Sequence, residues 1–258
     1  MISAVVVSYN ALEHLPRCLS SLALPAGEEV EVVVVDNAST DATARELPRL
    51  FPRARFEALG ENLGFAAASN RGAALAKGEL LLFLNPDAWL AEGSLASLAA
   101  RLRSEPRWGL AAPRLAYPDG QPQTSWAPQV SVAGEAVQKL RNRLEGRAWS
   151  HGRLLRFLLG PVWFTGACLL VRREAFEAVR GFDEGYFLYF EDADFCQRLR
   201  RAGWRLGEEP RALAFHARGG TGAPALRAAY RASQAVYYAR HRPPWEGRVA
   251  AWRASREG

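Results

Sequence analysis

Leu80-Leu81-Leu82-Phe83-Leu84-Asn85-Pro86-Asp87-Ala88-Trp89 is the stretch that decides the fold. Five apolar residues run without polar alternation, as in a strand covered on both faces of a parallel sheet. A buried helical segment has the same hydropathy, but Gly78 before the run and Pro86 after it favour a short strand. Such a strand delivers Asn85 and Asp87 at its carboxyl end, where open α/β sheets bind their ligands. Asp87 there either holds a hard cation that bridges phosphate oxygens or caps the helix that follows.

The segments before this strand repeat its rhythm. Ser3 to Ser8 is a β-rich run closed by Tyr9 and Asn10. Glu13 to Ala23 has helical spacing, with Leu12, Leu15, Leu19 and Leu22 on one side. Val30 to Val35 is a second strand, ended by Asp36 and the polar turn Asn37 to Asp41. Arg55 to Leu59 is a short third strand, and Ala66 to Ala76 is a helix of small residues suited to close packing on a sheet. This β-α-β-α-β order predicts a doubly wound, nucleotide-binding type of α/β fold. There is no GxGxxG after either early strand and no GxxxxGK[ST], which excludes a dehydrogenase and a P-loop NTPase.

Beyond Trp89, Ser94 to Arg103 reads as a helix and Trp108 to Arg114 as a strand. Tyr117 to Pro128, broken by Pro118, Gly120, Pro122 and Pro128, reads as a long loop or flap. Val137 to Arg156 carries six basic residues against Glu145. It suits either an anionic membrane surface or a solvated basic helix packed on the core. Cys168 to Val171 returns as a strand and Arg173 to Val179 as a short helix. Phe195 to Ala202 reads as a helix led by Glu191, Asp192 and Asp194. Trp204 to Leu206 and Arg211 to Phe215 read as separate strands, His216 to Gly222 as a glycine-rich turn, and Tyr230 to Ala239 as the last helix. The Arg-rich tail from His241 is a second basic surface. We expect one continuous domain with two halves, 1–115 and 116–258.

Composition sets outer bounds. Hydrophobic content of 49% with 23% charged residues argues against general disorder. Three cysteines without a CxxC spacing read as free thiols in a reducing compartment. The amino terminus enters a strand pattern directly, so no signal peptide is expected. Leu154 to Val171 is too interrupted for a transmembrane span. A net charge of +6 favours anionic partners without choosing among them. A nucleic-acid partner is not expected. No helix-turn-helix, zinc finger or RNP-like signature is present, and Asp36, Asp87 and Asp192 are ill suited to a phosphate backbone.

Two acidic groups carry the chemistry. Asp87 ends the central strand, and a neutral imidazole such as His216 can complete a cation site there. Glu191, Asp192 and Asp194 cluster at a helix start. Capping explains one acid there and three less well, since like charges repel. An ionised carboxylate in that place can take a proton from a hydroxyl nucleophile. Asp36 ends the second strand, where it can accept hydrogen bonds from a base or ribose.

The motifs, in order, are Val5 to Asn10, Val33 to Asp41, Asn62 to Ala66 through Asn70-Arg71-Gly72, Leu84 to Asp87 and Thr165 to Ala167. Gly181 to Glu184, Tyr189 to Asp194 with Arg198, and His216 with Gly219-Gly220-Thr221 complete the set. As a set they resemble the GT-A-fold glycosyltransferases of family 2, nearest the bacterial rhamnosyltransferase-like branch. The resemblance implies a GT-A (Rossmann-like) nucleotide-diphospho-sugar transferase fold with a mostly parallel sheet flanked by helices. It implies a metal-assisted, inverting transfer of a sugar, rhamnose among the candidates, from a UDP- or dTDP-sugar to a hydroxyl of a glycan or lipid-linked acceptor. Ser8, Tyr9, Asn10, Asp36, Asn70, Arg71 and Asn85 would line the nucleotide and diphosphate. Asp87 and His216 would bind a divalent cation, Mg or Mn, although the family commonly has Asp where Asn85 stands. Asp192 would be the general base, Glu191 would orient the acceptor, and Asp194, Trp163, Gly166, Gly219 and Gly220 would be further site residues. The resemblance places the protein in the cytoplasm, peripheral at the inner face of the membrane, in cell-envelope polysaccharide synthesis. A nucleotide-sugar-binding protein without transferase activity and a nucleotidyl-sugar transferase are the alternatives. The latter would want a Gly-rich loop with Arg or Lys where Ser8-Tyr9-Asn10-Ala11 stands.

Overall fold

The apolar runs become the middle of one sheet. In the computed structural model, residues 1–22, 29–135, 162–217 and 224–254 are described. Strand β1 (Ile2–Ser8) lies between β2 (Val30–Asp36) and β4 (Leu80–Leu84), all parallel, and β3 (Arg55–Ala58) pairs parallel outside β2. Every residue of β4 is at most 1% exposed, which confirms a strand buried on both faces. Leu80, Leu82 and Leu84 join one core cluster, and Leu81 and Phe83 join the other. Period-two side-chain alternation thus divides one run between two hydrophobic layers.

Helices α1 (Leu15–Ser20), α2 (Thr43–Leu50) and α3 (Phe65–Leu75) connect these strands. The small residues of α3 have the expected use. A Cβ on Gly72 would come within 2.4 Å of Val5 Cγ1, so the helix rests directly on β1. Gly64, at the foot of α3, has φ +82°, and its missing Cβ leaves room for the Phe187 carbonyl.

The second half reverses direction. Strand β10 (Cys168–Arg172) runs antiparallel between β4 and β6 (Trp108–Ala116), and β11 (Arg205–His216) runs parallel beside β6. The sheet order is β3-β2-β1-β4-β10-β6-β11-β5, so the sheet is parallel in its first half and mixed as a whole. Short β5 (Ala88–Leu90) closes the edge antiparallel to β11. Helix α4 (Ser94–Ser104) follows it, α5 (Arg173–Ala178) follows β10, and α6 (Glu191–Arg201) precedes β11.

Three sequence expectations need correction. Residues 117–128 are more regular than a long loop or a partly ordered flap. They contain β7 (Pro122–Gln123), paired with β6, and β8 (Trp126–Pro128), paired with β9 (Val162–Phe164). The two strands read at 204–206 and 211–215 are one strand, because the chain passes Pro210 through a register shift between Glu209 and Leu213. His216 ends this strand, and residues 218–222 of the expected glycine-rich turn lie outside the described residues. The last helix is longer, α7 (Pro224–His241), and the basic tail forms another, α8 (Pro244–Ala254). The basic segment 139–156 and Gly219, Gly220 lie outside the described residues. All three cysteines are buried and free. Among the described residues no helix is long and apolar enough to cross a membrane.

Candidate active site

Sheet pairing assembles the first half of the site. After β4 the chain turns through Asn85, Pro86 and Asp87, with the Ala88 amide donating to the Asn85 carbonyl at 3.0 Å. It then enters β5, whose Ala88 lies opposite His216 of β11. This antiparallel step sets His216 Nε2 at 3.4 Å from Asp87 Oδ1, and the Ala217 amide donates to the Asp87 carbonyl at 3.0 Å. On the far side of the ring, His216 Nδ1 lies 3.2 Å from Gln123 Oε1. That acceptor assigns the proton to Nδ1, which leaves the Nε2 lone pair facing Asp87. Asn85 Nδ2 approaches the same Nε2 at 3.5 Å, a donor consistent with that tautomer.

A carboxylate oxygen and an imidazole lone pair turned on one point fit a divalent cation. One carboxylate oxygen and one imidazole nitrogen are donors that Mn²⁺ accepts more readily than Mg²⁺, which prefers oxygen ligands, and Asp87 and His216 are the residues that would hold such an ion. Among the described residues no third His, Cys, Asp or Glu joins them. The rest of a coordination shell would therefore fall to the ligand's own oxygens and to water.

The second half stands at the start of α6. Tyr189 and Phe190 both have positive φ, 71° and 67°, a left-handed pair costly for aromatic residues. Their turn aims the first residues of α6 inward. Asp192 is half-buried, and its Oδ2 accepts from the Gly166 amide at 2.9 Å and its Oδ1 from the Ala193 amide at 2.7 Å. Burial raises the Asp192 pKa to about 6 against the pull of these amides. Glu191 is 5% exposed, and its Oε2 has no partner among the described residues. Burial, and then the charge of Asp192, hold its pKa well above the carboxylate range. Of the two neighbouring carboxyls, Glu191 is therefore pushed up with no hydrogen-bond donor on its Oε2 among the described residues, whereas Asp192 keeps two amide donors. Asp194 does not share this role. It is buried in an ion-paired cluster with Arg198 and His241, each at 2.6 Å.

One short segment joins the halves. The Asn85 amide donates to the Ala167 carbonyl at 3.0 Å, and the neighbouring Gly166 amide holds Asp192. Both clusters are thus fixed to the same residues at the start of β10.

The nucleotide-side residues meet at the ends of β1 and β2. Ser8 and Asp36 are register partners, and the Ser8 hydroxyl is buried without a partner among the described residues. Asp36 is 2% exposed and accepts from the Ser39 hydroxyl and amide. Asn10, at φ +51°, accepts from the Thr40 and Asp41 amides at 2.7 and 3.2 Å, so it braces the 37–41 turn. Tyr9 stands half exposed beside them. Two expected ligands are engaged elsewhere. Asn70 donates to the Phe182 carbonyl and Glu184 and accepts from the Phe182 amide, all at 2.9 Å. Arg71 pairs with Glu57 at 2.5 Å. Trp163 is half-buried in β9, beside Asp192's helix rather than beside the diphosphate turn. Gln123 is the residue that sequence reasoning missed, because its only local context was a proline-broken segment.

The Asp87–His216 contact at a strand end, the carboxylates at the start of α6 and the nucleotide-type sheet agree with what comparison with known proteins finds. The family model "Glycosyl transferase family 2" matches residues 3–180. The chain belongs to glycosyl transferase family 2. It is a glycosyltransferase, and it is similar to the N-acetylglucosaminyl-diphospho-decaprenol L-rhamnosyltransferase of Mycobacterium tuberculosis. The two are 34% identical over 233 residues, covering 84% of this chain and 76% of the relative. Among solved structures, a mannosyltransferase from Pyrobaculum calidifontis in complex with GDP-Man and Mn²⁺ matches 98% of this chain and 68% of its own. Its TM-score is 0.63 at 21% identity. GalNAc-T7 with UDP, GalNAc and Mn²⁺ matches 92% of this chain and 47% of its own, with TM-score 0.66 at 17% identity. At such identity the structures show the fold, which is GT-A.

Proposed function

We propose that this family 2 glycosyltransferase moves a sugar, rhamnose in the first instance, from a dTDP- or UDP-linked donor with inversion. The acceptor is a hydroxyl of a glycan or lipid-linked saccharide, and Asp192 is the general base. The observation that carries this reading is the tie from Asn85 to Ala167 and from Gly166 to Asp192, which fixes the cation pair and the base to one segment. The name of the mycobacterial relative supports rhamnose and a lipid-diphosphate acceptor. The 1–115 half would hold the donor and the 116–258 half the acceptor.

In this reading the nucleoside lies over the ends of β1 and β2, between Tyr9 and the turn that Asp36 and Asn10 brace. Asp87 and His216 would hold a divalent cation, which neutralises charge developing on the leaving diphosphate. Asp192 takes the acceptor O–H proton as that oxygen bonds to the anomeric carbon. The bond to the diphosphate breaks on the opposite face, so one displacement inverts the centre. Glu191, beside it, would orient the acceptor or a loop. Contact with the cytoplasmic face of an anionic membrane, through the chain's basic surface, would bring such an acceptor within reach.

Titration calorimetry with UDP and with dTDP, with and without Mn²⁺, tests the donor side. Asp87→Ala is expected to abolish the metal-dependent part of binding, because the cation loses its charged protein ligand. Metal-dependent affinity equal to that of the wild type would remove Asp87 from this role.

A further inference from the structure

Helix α6 presents a second line of residues beside the base. Ala193, Gln197, Arg200 and Arg201 recur at helical spacing and so share one face, one residue round from Asp192. Together with Gln129, Trp163 and Tyr237 they line a cleft of about 230 Å³. Among the described residues the lining holds two guanidinium groups and no carboxylate. Gln197 accepts from the Tyr237 hydroxyl, and Arg201 Nη1 lies 3.3 Å from His241 Nδ1. Arg200 is half-buried, and among the described residues its guanidinium has no hydrogen-bond or ion-pair partner. Burial lowers its pKa, so the fold disfavours this charge, and the described residues give it no counter-ion.

The cleft follows α6 from Ala193, the residue after Asp192, to Arg200 and Arg201. At about 1.5 Å per residue, Arg200 lies roughly 12 Å along the axis from Asp192, the length of a sugar ring carrying a diphosphate ester. Trp163 adds an aromatic face of the kind that packs against a sugar ring or an alkyl stem.

We propose that this cleft is an acceptor subsite for a diphosphate ester, with Arg200 and Arg201 on its phosphates and Trp163 against its stem. The assignment rests on the transferase reading above and names the acceptor's chemistry: a sugar linked through diphosphate to an alkyl or prenyl chain. Guanidinium groups suit phosphate oxygens because their paired N–H donors match phosphate geometry.

Binding tests the subsite independently of turnover. A short-chain alkyl diphosphate is titrated into the full chain in EDTA, so that no divalent cation can recruit it to Asp87 and His216. Saturable binding that UDP does not displace is expected. Arg200→Gln should weaken it about 10-fold or more, as loss of a charge-assisted phosphate contact requires. Arg200→Lys, which keeps the charge if the Gln variant folds poorly, should retain an intermediate affinity. The corresponding alcohol should not bind, and inorganic pyrophosphate should bind more weakly for want of a stem. Equal affinity in wild type and Arg200→Gln, displacement by UDP, or pyrophosphate binding as tightly as the ester would each overturn the proposal. Asp192→Asn should bind the alkyl diphosphate as the wild type does. Failure of the base assignment and failure of this subsite are therefore separate results.

Discussion

Glu191 and Asp192 are adjacent carboxylates in different surroundings. Asp192 receives two backbone amides, whereas Glu191 Oε2 receives nothing among the described residues. Burial raises both, so the unfolded chain releases these protons at lower pH than the folded one does. Between the two pKa values the folded state binds more protons, and stability falls as pH rises. Their contribution is therefore most favourable in acid, below the unfolded carboxylate range. It declines through about pH 6 for Asp192 and, for Glu191, above the ordinary carboxylate range. Glu191→Gln copies the protonated form without the titration. Its melting temperature should gain on the wild type as pH is raised from 5 to 8, and a gap that stays constant over that range would place Glu191 among ordinary carboxylates. Not all of this was legible in the sequence. The acids and their order were plain, and so was Asp87 at a strand end. The difference between Glu191 and Asp192 depends on Gly166, a residue 26 positions from Asp192.

At the scale of elements, the strands buried on both faces were readable because hydropathy alone marks them. Leu80–Leu84 and Val33–Val35 needed no tertiary information. The contact of Asp87 with His216 was not readable in the same way. It arises from three residues, Ala88–Leu90, that pair antiparallel with the end of β11, and no local pattern announces so short an edge strand. Gln123 was hidden for a like reason, since proline punctuation reads as loop even where two residues pair with a neighbouring strand. Asn70 shows a motif residue whose role lies in the tertiary structure. Its amide ties α3 to the 181–184 turn, which leads into the strained pair before α6. We therefore assign Asn70 a positioning role. Asn70→Ala should destabilise the fold by about 1–3 kcal/mol, since it leaves the Phe182 amide and carbonyl unpaired. Nucleoside diphosphate affinity should fall little. An unchanged melting temperature with a large loss of nucleotide affinity would return Asn70 to the donor site.

At the scale of the whole molecule, two halves of one sheet meet at the segment between β9 and β10. The parallel half supplies Asp36 and Asp87, and the second half of the chain supplies His216 and Asp192. The chain's net charge of +6 suits an enzyme whose acceptor lies at an anionic surface. Co-sedimentation with anionic liposomes should therefore be detectable at low salt, absent with neutral liposomes, and lost as salt is raised. No binding to either would leave an acceptor in solution or one presented by another protein. The central claim, an inverting transfer with Asp192 as base, meets its most direct test in Asp192→Asn. This substitution keeps the side chain's shape and removes its basicity. Turnover at saturating donor and acceptor is measured beside donor affinity in the same preparation. The account predicts that turnover falls by roughly 10²-fold or more while donor affinity holds. Near-normal turnover in the folded variant would contradict it.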